Sequence, residues 1–343
     1  MEFDQPFAGT GTWHDAVVRE DTTQAEGGSG FGKKGFPEKG HGSGVWVSFS
    51  PEYANEVHLR VGISYVSEDG DDATRRRFLK RAQYWRNLWN PKAAPDGGYI
   101  QNRGADGSWA LVQDDGDKAP HSFTPATEDG FVEGTAPQYV WMVPFNVKGL
   151  FSAMGGKQRA TERLNTFFYD EKGAAAVTNA GPLHAELNNE PSIGTPWLYD
   201  FAGQPWKTQQ LVREVLKTLW VNAPNGVPGN DDLGEMSSWA VFASLGIYPA
   251  IPGRAEFVIG SPIFSRAVVH RPGGDVLLLA PQTSATNSYI SAPKVNGRAT
   301  SHTWLPEAFA LSGGRLEFDM APTPNRLWGA QEEDAPPSFD IKP

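Results

Sequence analysis

Between Asp71 and Pro249 the apolar residues recur at helical spacing, whereas before it they alternate in period two and beyond it the chain reads as strands again, which makes the chain a mixed α and β protein. On the N-terminal side Val45, Val47 and Phe49, then Val57, Leu59, Val61, Ile63 and Tyr65, alternate as half-buried strands do. The middle predicts helices over 75–89, 137–154, 158–169, 205–220 and 235–245, joined by long Gly-, Asp- and Pro-rich loops. Beyond Ile251 strands return over 256–259, 266–270, 275–279, 288–292 and 315–319. Residues 1–70, 71–250 and 251–331 therefore form a strand-rich, a helical and a second strand-rich region, and the proline-bearing segment 332–343 reads as a flexible tail.

A chain of 343 residues with 39% hydrophobic content buries a substantial core, and nothing in it reads as disordered. The net charge of −10 argues against nucleic acid or an anionic membrane as partner, since both are met with basic surfaces. With no cysteine, disulfides and thiolate metal sites are excluded. The start, Met1-Glu2-Phe3-Asp4, lacks the basic and apolar regions of a secretory leader, and no stretch reads as a membrane span.

Three loop segments concentrate the chemistry. In Pro228-Gly-Asn-Asp-Asp-Leu-Gly-Glu-Met-Ser-Ser-Trp239, the carboxylates of Asp231 and Asp232 stand on a Gly-rich turn that leads into a helix whose dipole favours them. Read more simply, the same residues cap a helix on an acidic surface. In Gly130-Phe-Val-Glu-Gly-Thr-Ala-Pro-Gln-Tyr139, Glu133 stands among aromatics, an apolar setting that raises a carboxyl pKa toward that of a general acid. A third cluster runs from His184 and Glu186 through Asn189 and Glu190, then Trp197, Gln204, Trp206 and Lys207, residue types that bind sugar hydroxyls or a hard cation. One acid in an apolar pocket, a separate acidic turn and many aromatics, with 12 Trp in the chain, form the inventory of a glycoside hydrolase. By contrast, Asp69-Gly-Asp-Asp72 and Asp114-Asp-Gly-Asp117 lack the full calcium-loop spacing and read as solvated turns.

These motifs, in this order, resemble the bacterial α-mannosidases of glycoside hydrolase family 92. The resemblance is carried by Glu133-Gly-Thr-Ala-Pro-Gln-Tyr139, Asn189-Glu-Pro-Ser192, Ala202-Gly-Gln-Pro-Trp-Lys-Thr208, the acidic turn through Trp239, Leu245-Gly-Ile-Tyr-Pro249, Ile259-Gly-Ser-Pro262 and Pro324-Asn-Arg-Leu-Trp-Gly329. It implies a β-sandwich packed on a helical (α/α)6 barrel, a calcium ion in the site and inverting exo-hydrolysis of α-mannosidic linkages in oligosaccharides of N-glycan or mannan type. On that reading Glu133 is the general acid and the Asp231/Asp232 turn supplies the base, with Asp232 preferred. Asn189 and Glu190 enter the calcium shell, and His184, Glu186, Trp197, Gln204, Trp206 and Lys207 face the sugar. The resemblance also implies a secreted or periplasmic protein.

Three departures qualify the resemblance. The strand ending near Ser67 runs almost directly into Asp71, where the family places the early barrel helices, so only a partial barrel is expected. A second copy of the chain is the candidate to complete the wall. Thr135-Ala-Pro137 stands where the family pattern has Asn-Ala-Trp, and the segment from Glu186 to Gly194 lacks the His-Glu and His-His pairs associated with α-1,2 linkages. The alternative is a truncated remnant that binds mannosides or calcium without turnover.

Overall fold

The computed structural model describes residues 2–3, 7–14, 17–22, 43–50, 59–60, 72–221, 223, 226–271 and 273–339. The chain divides into two compact units, Met1–Glu68 and Asp69–Pro343. In the first, Phe7–His14 is the central strand of an antiparallel sheet, flanked by Val17–Glu20 and Ser43–Phe49. Glu2–Phe3 pairs with Leu59–Arg60. The rest of the alternating segment 57–65 and the Asp69-Gly-Asp71 turn lie outside the described residues.

The second unit holds the helices. Helix α1, Asp72–Arg81, and a 3-10 turn at Tyr84–Asn87 take up most of the helix expected over 75–89. That segment ends early because Trp89–Ala94 and Gly97–Ile100 form a hairpin, with Ala94 opposite Gly97 across the two-residue turn Pro95-Asp96. The predicted helix over 137–154 is likewise broken, into Ala136–Tyr139, a 3-10 turn at Pro144–Asn146 and helix α2, Val147–Ala153. Pro144 is the cause: its ring disfavours helical geometry at Val143, which sits at φ −125°, ψ 52°, and it has no amide to donate. Asn146 then restarts the helix by accepting a hydrogen bond from Gly149 N.

Helices α3 (Lys157–Phe168), α4 (Pro205–Leu219) and α5 (Glu235–Leu245) fall within a residue of the expected spans. Their inner faces, with Leu164, Phe168, Leu211, Val212, Val215, Met236 and Trp239, join Trp197 and Tyr199 in one buried cluster. Each such side chain removed from water contributes on the order of 1.5–3 kcal/mol. Helix α5 stops at Gly246, whose φ of +75° makes it a left-handed C-terminal cap; a Cβ there would lie 2.6 Å from Pro262 N.

The C-terminal strands form a five-stranded sheet in the order Arg266–Val269, Val276–Leu279, Gly314–Ala321, Tyr289–Val295, Arg298–Ala299, all antiparallel except the pair Val276–Leu279 with Gly314–Ala321. A smaller sheet joins Trp304–Leu305, Phe257–Ile259 and Ile247–Tyr248. These strands are tied to α4, where Gln209 Oε1 accepts from Ile290 N and Arg213 donates to Pro262 O at 2.8 Å. Residues 332–339 are not a loose tail: Phe339 N donates to Phe145 O, Gln83 Nε2 donates to Phe339 O, and Lys148 N donates to Ser338 Oγ, each at 2.9 Å. With its backbone groups paired and Asp334 buried, this segment packs as part of the unit. Among the described residues no helix is long and apolar enough to cross a membrane.

Candidate active site

The first carboxylate turn is built on a strained backbone. Glu133 has φ +53°, a left-handed conformation that costs an L-residue with a side chain on the order of 1–2 kcal/mol and that collects at functional sites. Phe131 and Tyr139 pack together at 5.1 Å between ring centroids, and Tyr139 OH donates to Val132 O at 2.5 Å. Glu133 itself is exposed, so the apolar enclosure expected around its carboxyl is absent; the rings support the turn instead of surrounding the acid. Thr135 opens the next helical turn, with its amide donating to Gln138 Oε1 and its hydroxyl to Pro182 O. Pro137 sits within the first turn of that helix, where an amide would have no helical partner, so its missing donor costs nothing there.

The second turn separates the two aspartates by role. Asp231 accepts from Ser237 N at 2.9 Å and Ser237 Oγ at 2.5 Å, and these bonds hold its carboxyl below the usual aspartate range. Asp232, one residue on, is exposed and among the described residues has no hydrogen bond to its carboxylate. Leu233 then takes φ +53° and is fully exposed, a second non-glycine residue in left-handed geometry beside a carboxylate.

The third loop touches both turns. Asn189 Nδ2 donates to Glu133 O at 2.9 Å. Asn188 O lies so close to Gly229 that a Cβ on that glycine, at φ +63°, would be 1.9 Å away. Trp239 Nε1, from α5, donates to Ile193 O at 2.8 Å. The loop is thus keyed to the Glu133 turn on one side, and to the Asp231/Asp232 turn and its helix on the other.

A shallow cavity of about 550 Å³ includes Glu133, Gln138, Glu186, Asp115 and Glu128 in its walls. Glu186 lines the same cavity as Glu133, with its Oε2 accepting from Asn179 N at 3.0 Å. His184 is half-buried; its backbone oxygen accepts from Gln138 Nε2, and it lines a separate cavity of about 710 Å³ with Tyr99, Trp141, Arg163 and Phe167. The remaining expected sugar contacts are elsewhere. Trp197 is 0% exposed, stacked on Tyr248 at 4.7 Å, so it is a core residue and offers no face to a ligand. Gln204 stands at the N-terminus of α4, Trp206 stacks under Arg326, and Lys207 donates to Asn165 Oδ1 at 2.7 Å; none of them lines the Glu133 cavity.

Two groups of residues bear on a cation. Asp114, Asp117 and His121 converge, but their atoms are already engaged: Asp114 Oδ1 accepts from Thr127 Oγ1 and from the amides of Glu128 and Asp129, and Asp117 Oδ2 accepts from Asp114 N while bonding His121 Nε2. This is a staple between loops. In the third loop, Asn188 Oδ1 and Glu190 Oε1 are buried and have no hydrogen-bond partner. Oxygen atoms left without donors are what a hard cation takes, so the calcium implied by the sequence fits here. Glu190 is one of the two residues read from the sequence as metal ligands; the other, Asn189, donates its Nδ2 to Glu133 O, while its neighbour Asn188 holds the orphaned oxygen. Glu235 stands beside Glu190 in an apolar groove of about 350 Å³, and burial first, then the charge of Glu190, pushes its carboxyl pKa up.

Sequence reasoning missed Asn188, Thr135, Gln138 and Asn179. The Thr135-x-x-Gln138 spacing is a capping box and was readable as one. Nothing in sequence separates Asn188 from Asn189.

Two carboxylate turns braced by a shared polar loop thus stand in a helical unit that is followed by strands. The chain belongs to glycosyl hydrolase family 92, whose catalytic-domain model matches residues 10–322. It is similar to the family 92 α-mannosidase BT3965 of Bacteroides thetaiotaomicron, at 29% identity and a TM-score of 0.69 over 79% of this chain and 34% of that one. That relative has also been solved with mannoimidazole (28% identity, TM-score 0.68, covering 78% and 35%). The inverting mannosidase BT2199 of the same organism gives 28% identity and a TM-score of 0.66 over 79% and 37%. A protein described as an uncharacterized secreted glycosidase of Arthroderma benhamiae is 27% identical over 282 residues, 77% of this chain and 34% of that one. The chain thus spans about a third of the length of these relatives.

Proposed function

We propose that the chain carries the catalytic centre of an inverting exo-α-mannosidase acting on mannose-containing oligosaccharides of N-glycan or mannan type. The observation that carries the reading is the third loop, which contacts the Glu133 turn through Asn189 and the Asp231/Asp232 turn through Asn188. Inversion needs an acid and a base on opposite faces of the sugar, roughly 6.5–9.5 Å apart with room for water. Glu133 protonates the departing glycosidic oxygen. Asp232 takes a proton from the attacking water, a role its unencumbered carboxylate suits better than the doubly bonded Asp231. The anomeric C–O bond breaks as the water oxygen bonds from the other side, and the product is β-mannose.

Asn188 and Glu190 are the residues that would hold calcium, which when bound supplies a fixed positive charge for sugar hydroxyls. Glu186, in the wall of the Glu133 cavity, accepts from a sugar hydroxyl. The helices α2–α5 belong, on this reading, to one part of an (α/α)6 barrel, supported by the likeness to BT3965 over a third of that enzyme. The secreted relative supports export of the protein. Glu133→Gln and Asp232→Asn are each expected to lower kcat on an unactivated α-mannobiose by about 10²-fold or more. Full activity in either variant refutes its assigned role.

A further inference from the structure

Glu133 is held in its left-handed conformation by a residue 56 positions away in the sequence. The preceding carbonyl, Val132 O, is tethered locally by Tyr139 OH, and Thr135 N by Gln138 Oε1. The carbonyl of Glu133 itself points to Asn189 Nδ2. A side-chain amide donating to a carbonyl in a strained turn favours that turn over its relaxed alternatives, because relaxation would break the bond.

Asn189 is in turn rigidly placed. Its amide donates to Glu186 O at 3.1 Å, its carbonyl accepts from Ser192 N, and Ser192 Oγ accepts from Glu186 N at 3.2 Å, so the loop is cross-tied through its own Ser192. The neighbouring Asn188 O abuts Gly229, two residues before Asp231, and Ile193 O receives the indole of Trp239 from the helix whose Ser237 donates to Asp231. One short loop therefore fixes the backbone under both carboxylates.

From this geometry we infer that Asn189 is a positioning residue for the general acid, locking Glu133 in left-handed geometry and keying it, through Asn188, to the base turn. The inference rests on the mannosidase reading for its catalytic consequence, though not for its structural one. Asn189 acts through Glu133, so its loss matters only where protonation of the leaving group matters. A misplacement of about 1 Å at a reacting group can cost about 10²-fold in rate.

The test uses Asn189→Ala and Asn189→Asp, the second keeping the shape while removing the donor. Each is compared with Glu133→Gln on an unactivated α-mannobiose and on an aryl α-mannoside with a good leaving group. Both Asn189 variants are expected to lose about 10–10²-fold in kcat on mannobiose, with KM nearly unchanged, and less than about threefold on the aryl substrate. Equal losses on both substrates, or none, overturn the positioning role. Should Glu133→Gln show no such contrast, the acid assignment fails instead. A crystal structure of the Asn189→Ala protein decides the structural half without any activity: Glu133 is expected to leave φ near +53°, and its retention there contradicts the inference.

Discussion

Asp231 accepts two hydrogen bonds from a single residue, Ser237, one from its amide at 2.9 Å and one from its hydroxyl at 2.5 Å. That pairing ties the carboxylate turn to the first turns of α5 and leaves the adjacent Asp232 free to face solvent. The two aspartates should therefore separate in experiment. Asp231→Asn is expected to lower thermal stability with a modest effect on kcat, and Asp232→Asn to abolish turnover with little change in Tm. The sign with pH follows from the depressed carboxyl of Asp231: its contribution is present above the ordinary aspartate value of 3.8 and disappears as pH falls through its own lower value. The Tm gap between wild type and Asp231→Asn should thus close in acid.

Asp200 behaves in the opposite way. It is completely buried, with Thr208 Oγ1 donating to one oxygen and the other oxygen unpartnered, and burial raises its pKa well above 3.8. Its contribution to stability is full below the unfolded value and is lost as pH rises through the folded one. Asp200→Asn is therefore expected to raise Tm at neutral and alkaline pH, with the gain vanishing in acid. A gain that persists unchanged at low pH would count against a neutral buried acid.

Calcium should stabilise the folded chain by mass action, by about 2.7 kcal/mol at a hundredfold excess over Kd. Asn188→Ala and Glu190→Gln should each weaken that binding by at least about tenfold, read by titration calorimetry, because the first removes an orphaned oxygen and the second the negative charge of the carboxylate that bears the other. Asp114→Asn should leave it unchanged, since that carboxylate is occupied by Thr127, Glu128 and Asp129.

Trp197 tests the division between core and site. Truncation to Ala should cost about 3–5 kcal/mol, as for other large buried aromatics. Trp197→Phe should retain the KM of the parent, because the ring lies against Tyr248, Trp239 and Gly260 instead of a ligand. A KM shift without loss of stability would restore it to the sugar site.

Much of the second unit was legible because its signals are periodic. The 3.6-residue pattern in α3 and α4 and the alternation in 314–321 translate directly into buried faces. The failures were local. Pro95-Asp-Gly97 is a turn signal strong enough to end a helix, and Pro144 breaks one, yet apolar spacing around both still reads as helical. In the site, residue types identified the three loops. The division of labour between Asp231 and Asp232, or Asn188 and Asn189, depends on which atoms find partners, and adjacent like residues carry no record of that. Trp197 was misassigned for a related reason, since an aromatic beside polar motifs looks the same whether it faces sugar or core.

The central claim is inverting hydrolysis at the paired turns, and its most direct measurement is NMR of mannose released from an α-linked mannobiose, with calcium and then with chelator. The account predicts β-mannose as the first product and loss of release on chelation. First release of α-mannose, or no release from protein shown to be folded and calcium-bound, would contradict it.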